Sequence, residues 1–136
     1  MAEWGDVERI AGGLPEAEES TSYGNRAFKV RGKTFVWDRP LRKKELAELG
    51  DAAPDGPVLG VRVADQVEKD AVLAEHESAF TIDHFRNFDA VLIDLDHIDV
   101  DALGELIEDA WVSQAPPKLV ADSRLTTKTD PAWGTV

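Results

Sequence analysis

Two short runs of alternating residues meet at Gly32, and they dictate a β-hairpin before anything else in the chain is considered. Residues 26–31 and 33–38 set apolar and charged side chains in turn, the pattern of strands with one buried face. A tight turn at Arg31-Gly32 joins the runs and is expected to set Phe28 opposite Phe35 on one face. Pro40 has no N–H for a sheet ladder, so the second run must stop before it. The chain also concentrates its positive charge here. Residues 26–44 hold eight of the 15 Lys and Arg, with Asp38 the single acid among them. The segment therefore carries +7 in a chain of net charge −12, which leaves −19 on the remainder.

The elements around the hairpin define the fold class. Trp4, Val7, Ala11 and Leu14 mark one face of a helix over residues 2–13, which Gly12-Gly13 and Pro15 end. Residues 16–23 read as a first strand. Leu41, Leu46 and Leu49 predict a short helix closed by Gly50, and residues 51–57 a loop. Residues 58–63 form a clear strand. Asp65 with Glu68 three residues on has the form of a helix start, and that helix should reach about His76. Phe80 and Ile82 alternate as a short strand, with an irregular connector over residues 83–89. Val91, Ile93 and Leu95 alternate with Leu92, Asp94 and Asp96, giving a strand with a polar outer face.

Asp99 caps the last helix, whose stripe is Val100, Leu103, Ile107, Ala110 and Trp111 and which Pro116-Pro117 breaks. This order predicts an α+β fold, an antiparallel sheet with the terminal helices packed on one face. One domain over residues 1–120 is expected, with residues 121–136 a mobile or loosely docked tail.

Composition narrows the chemistry. A chain of 136 residues suits one hydrophobic core, and the absence of cysteine removes disulfides, thiolate zinc sites and cysteine nucleophiles. The first residues lack the basic and apolar regions of a signal peptide, and no run approaches the roughly 20 apolar residues that span a bilayer. A cytoplasmic protein without a membrane partner is expected.

Three groups of residues are candidate sites. Lys29, Arg31, Lys33, Arg42, Lys43 and Lys44 could meet phosphates, since a two-stranded ribbon can enter a groove. Phe28, Phe35 and Trp37 lie at strand spacing and suit a core better than a stacking platform. Asp94, Asp96, Asp99 and Asp101 with His97 resemble a metal set, but capping and solvation explain them, so no metal is expected. Among the histidines, His84 is the most site-like, and a small-ligand pocket would lie near His84, Tyr23 and Trp37. No phosphate loop, nucleophile elbow or zinc-spaced pair occurs, so neither a cofactor nor a catalytic residue is expected.

Leu14-Pro15-Glu16, Tyr23-Gly24 and Ala27-Phe28-Lys29-Val30-Arg31-Gly32-Lys33-Thr34-Phe35 resemble the opening of the MmcQ/YjbR family. His84-Phe85, Val91-Leu92-Ile93-Asp94-Leu95, Ala110-Trp111 and Ala115-Pro116-Pro117-Lys118-Leu119 resemble its closing pattern. Asp83 and Arg86-Asn87-Phe88-Asp89 depart from it, where the family has Pro before the His-Phe pair and a Gly-Tyr-Pro-like turn after it. The resemblance implies a frataxin/CyaY-like two-layer sandwich and a DNA-binding label, and it brings no enzymatic activity. The expected function is a non-enzymatic binding module, taking DNA weakly and without sequence preference through residues 26–44. The alternatives are an acidic protein partner on that hairpin, or a small ligand near His84.

Overall fold

The computed structural model describes residues 1–123, and the hairpin sits inside a six-stranded sheet. Its strands are β1 (Ala17–Ser22), β2 (Asn25–Val30), β3 (Lys33–Asp38), β4 (Val58–Arg62), β5 (Ala79–Phe80) and β6 (Ala90–Asp94). They lie in the order β1-β2-β3-β4-β6-β5, and each neighbouring pair is antiparallel. Helices α1 (Trp4–Gly12) and α4 (Val100–Gln114) cross one face, as the terminal stripes require. Their Val7, Ala11, Leu103, Ile107, Ala110 and Trp111 pack on Phe28, Val30, Phe35, Val61 and Ile93 of the sheet. The caps form as expected: Asp65 accepts from the Glu68 N–H and Asp99 from the Ala102 N–H.

Two connections share one backbone device. Tyr23 and Gly24 have φ of 52° and 83°, and Arg31 and Gly32 have 49° and 82°. Paired positive φ values make the two-residue turns whose twist matches that of the flanking strands. Asn or Gly is the usual first residue of such a turn, so Tyr23 and Arg31 sit there against backbone preference. Arg31 is held by a two-pronged ion pair with Glu16, its Nη2 donating at 2.8 Å to Oε2.

The structure corrects two expectations. Phe28 faces Val36 rather than Phe35, because the β2–β3 register shifts next to Lys29 and Phe35 becomes an extra residue on β3. The bulge keeps Phe35 and Val36 both in the core under the helices and turns Trp37 to the opposite face of the sheet. Secondly, β6 has no polar outer face beyond Asp94. Leu92 is fully buried there, in a second cluster with Ala27, Trp37, Val58, Ile82 and Phe85. Leu41, Leu49 and Phe80 cover that cluster, so the connections before β4 and after β5 roof the middle of the second face. The helix breaks at Pro116-Pro117 as expected, and the chain then resumes a short one. Helix α5 (Pro117–Ser123) sets Leu119 and Val120 against the main core, Pro117 occupying a first turn where its missing N–H costs nothing. The expected tail lies, apart from residues 121–123, outside the described residues.

The second cluster depends on one small residue. Trp37 pairs with Gly60 across β3 and β4, and its indole lies flat on the glycine. A Cβ at residue 60 would come within 2.4 Å of the ring. Gly60→Ala is therefore expected to cost about 1–3 kcal/mol by displacing the indole. Urea denaturation with near-UV circular dichroism checks it, and an unchanged midpoint and spectrum would mean that the ring has room to slide.

Candidate functional site

On the second face, the roof stops short of β1 and β2 and leaves a cleft of about 680 Å³. Strand alternation explains its sides. Ser22, Asn25 and Thr34 point away from the helices and form a polar shelf, and Trp37, turned over by the bulge, borders them. Phe85 and Phe88 from the connector stand opposite, with ring centroids each 6.2 Å from that of Trp37 and an edge-to-face contact of 5.2 Å between them. Tyr23, Trp37 and His84, far apart in sequence, all line this one cleft.

The charged lining is made of arginines. Arg39, Arg42 and Arg62 reach the cleft, and among the described residues no carboxylate lines it. Their states differ. Arg39 is buried against Phe85 and gives two hydrogen bonds to the Glu45 carboxylate, at 2.9 and 2.8 Å. Burial works against charge on Glu45, but the Arg39 guanidinium and the Arg42 backbone N–H outweigh it and hold that carboxyl below its ordinary pKa. Arg62 lays its guanidinium on Phe88, 4.6 Å from the ring centroid, and donates from Nε to the Asp89 carbonyl at 3.0 Å. Burial pushes its pKa down against the opposing pull of Asp89. The Arg42 side chain is exposed at the start of α2 (Lys43–Leu49). Among the described residues, neither Arg42 nor Arg62 has a carboxylate partner within ion-pair distance.

The aromatic wall is braced from behind. Lys69, on α3 (Gln66–Glu75), is 3% exposed and donates from Nζ to the Phe85 and Phe88 carbonyls, the latter at 2.9 Å. Burial lowers its pKa, while Asp89 and Asp70 favour the charge. The ammonium is thus spent on fixing the turn that presents both rings.

The six candidate cations of the hairpin do not gather on one side. Arg31 and Lys33 border a separate groove against Val112, Gln114 and Pro117 at the α4–α5 corner, on the helix side of the sheet. Lys29 alternates onto the second face opposite Glu18. Arg42, Lys43 and Lys44 lie exposed beyond the far end of β3. Acids occupy three of the eight basic residues in the segment: Asp38 lies 3.8 Å from Arg26, Glu16 pairs with Arg31, and Glu45 with Arg39. Among the acids weighed as a metal set, Asp94 accepts from the Asp96 N–H and bonds His97 Nδ1 at 2.8 Å, while Asp99 is a cap.

Sequence reasoning missed Arg39, Arg62, Phe85 and Phe88 as cleft residues. Arg62 had left a signal, a lone cation at the end of an otherwise apolar strand. Phe88 had left one too, in the loop that departs from the family pattern. Arg39 had none, since its pairing with Glu45 is made only when α2 folds back.

A sequence profile described as YjbR matches residues 12–113. An uncharacterised protein of Mycobacterium bovis is 43% identical over 124 residues, covering 88% of this chain and 94% of the relative. An uncharacterised protein of Mycobacterium tuberculosis matches with the same identity and coverage. The fold is shared with the crystal structure of Deinococcus radiodurans protein DR2400, described by a DUF419 domain, at a TM-score of 0.59 and 18% identity over 82% of this chain and 78% of that one. Three quarters of the chain, from the end of α1 through most of α4, lies inside the profile match, and the chain belongs to the YjbR family.

Proposed function

We propose that this protein is a non-enzymatic binding module whose site is the Trp37 cleft and whose ligand is a small anion. One observation carries the reading: among the described residues, three arginines and a histidine line the cleft without a carboxylate, in a chain of net charge −12. A concave site with an apolar wall and a few convergent polar groups is the usual form of a small-molecule site. The lining offers no general base of the carboxylate type, and Ser22 and His84 make no hydrogen bond to each other, which supports binding rather than chemistry. We also read the sheet under two terminal helices as frataxin-like and the protein as cytoplasmic; neither label supplies a ligand. Among the described residues, no helix is long and apolar enough to cross a membrane.

The test is an NMR titration with inorganic phosphate and citrate. The signals of the Arg42 side chain and the Trp37 indole N–H are expected to move before those of Lys33 and Lys118. Shifts confined to the latter pair would sink the cleft reading.

Nucleic acid is a second reading, favoured by the contiguous exposed run Arg42, Lys43 and Lys44. Each phosphate neutralised adds about −0.9 to the slope of log affinity against log salt, so three contacts give roughly −2.7. Fluorescence anisotropy of a labelled duplex with that slope, lost on charge reversal of the three residues, would move the function there.

A further inference from the structure

We infer that the cleft takes a planar aromatic phosphate monoester, as a free small molecule. The inference rests on the anion-binding reading above and adds the ligand's two chemical halves. The first half comes from the wall. Phe88 is 37% exposed and carries the flat Arg62 guanidinium, Tyr23 stands wholly exposed at the mouth, and the buried Trp37 and Phe85 rings behind them hold Phe88 in place. Such surfaces favour a planar ring, which stacks without requiring particular edges.

Tyr23 strengthens this half. It holds a φ of 52° at a turn position that Asn or Gly fills more readily, and it buries nothing in the fold. An exposed aromatic kept there contributes to the cleft rather than to the core.

The second half comes from charge. With Arg39 neutralised by Glu45, Arg42 and Arg62 leave two positive charges on the lining. A phosphate monoester carries about −1.5 to −2 at neutral pH, and guanidinium groups recognise its oxygens directionally. Ser22, Asn25 and Thr34 make no side-chain hydrogen bond among the described residues, so their polar groups are open to the ligand between its ring and its phosphate. The volume of about 680 Å³ suits a molecule of that size.

Isothermal titration calorimetry on the full chain decides it. The probes are adenosine 5′-monophosphate and phenyl phosphate for the class, adenosine for the ring alone, and ribose 5-phosphate for the charge alone. At least one aromatic phosphate is expected to bind roughly tenfold or more tightly than either half-ligand. Arg42→Glu should abolish that binding, and Tyr23→Asn should weaken it severalfold while suiting the turn. Tyr23→Asn should keep or slightly raise the urea midpoint, since its side chain is exposed and asparagine suits the turn, and Arg42→Glu should remain folded at the assay temperature, since that side chain is exposed. Ribose 5-phosphate equal to the aromatic phosphates would overturn the ring half and leave the anion reading standing. Adenosine as tight as its monophosphate, or no binding by any probe at ~10 mM, would overturn both. A duplex without terminal phosphates that binds more tightly than the monophosphate would give the site to nucleic acid and end the inference.

Discussion

Replacing Trp111 by alanine is expected to destabilise the fold by about 3–5 kcal/mol, a large part of what a domain of this size has. Trp111 is the largest fully buried side chain among the described residues, lying where α4 meets the sheet and the end of α1. Its truncation removes dispersion contacts on every side and leaves a cavity that a helix and a sheet cannot close. The ring also has a polar duty. Its Nε1–H donates to the Pro15 carbonyl at 2.9 Å, tying α4 to the connection between α1 and β1 across most of the chain's length. Without the indole that carbonyl loses its partner, which accounts for about 1–3 kcal/mol of the loss where no water replaces it. Trp111→Phe separates the two terms, since it keeps most of the packing and drops only the donor. Urea denaturation of both variants is the check. The alanine variant should be the less stable by a clear margin, and an unchanged midpoint would place Trp111 outside the core.

The sheet and the helices were legible because each rests on local periodicity. The stripe of α4, the caps at Asp65 and Asp99 and the turn at Arg31-Gly32 are written within a few residues each. The bulge at Phe35 was not, because it inserts no glycine and its residues are apolar on either reading. That one extra residue reassigns Trp37 from the helix side to the cleft, so a local irregularity decides where the site lies. Leu92 was misread for a related reason. Alternation with Asp94 and Asp96 suggested a wet face, but a roof made of Leu41, Leu49 and Phe85 buries it, and a roof is a tertiary event. The charges show the same limit. Eight cations in 19 residues are visible in sequence, whereas their pairing with Glu16, Asp38 and Glu45 is visible only in space. Tyr23, Trp37 and His84 were named together from residue type, and the fold does bring them to one cleft. What they hold is the subject of the titrations above.

Breaking the Arg39–Glu45 pair should cost about as much as losing Trp111. Side chains of the two residues are 11% and 6% exposed, and Glu45 also accepts from the Arg42 N–H at 3.0 Å, which starts α2. Removing one partner of a buried pair leaves an uncompensated charge, typically a loss of about 3–5 kcal/mol. Glu45→Gln keeps the shape and one acceptor, so it isolates the charge; Glu45→Ala removes the helix start as well and should be worse. Replacing both partners, Arg39→Met with Glu45→Leu, should recover much of the loss, because apolar residues of similar volume carry no desolvation penalty. The pH dependence has a definite sign. The carboxyl of Glu45 is held below the 4.5 of an unperturbed glutamate, so its contribution is complete above that pH and is lost as pH falls through the folded-state value. The stability gap between the wild type and Glu45→Gln should therefore be flat from neutral pH down to about 4.5 and shrink in stronger acid. A gap that widened in acid, or a Glu45→Gln variant as stable as the wild type at neutral pH, would show that the pair does not hold this corner of the sheet.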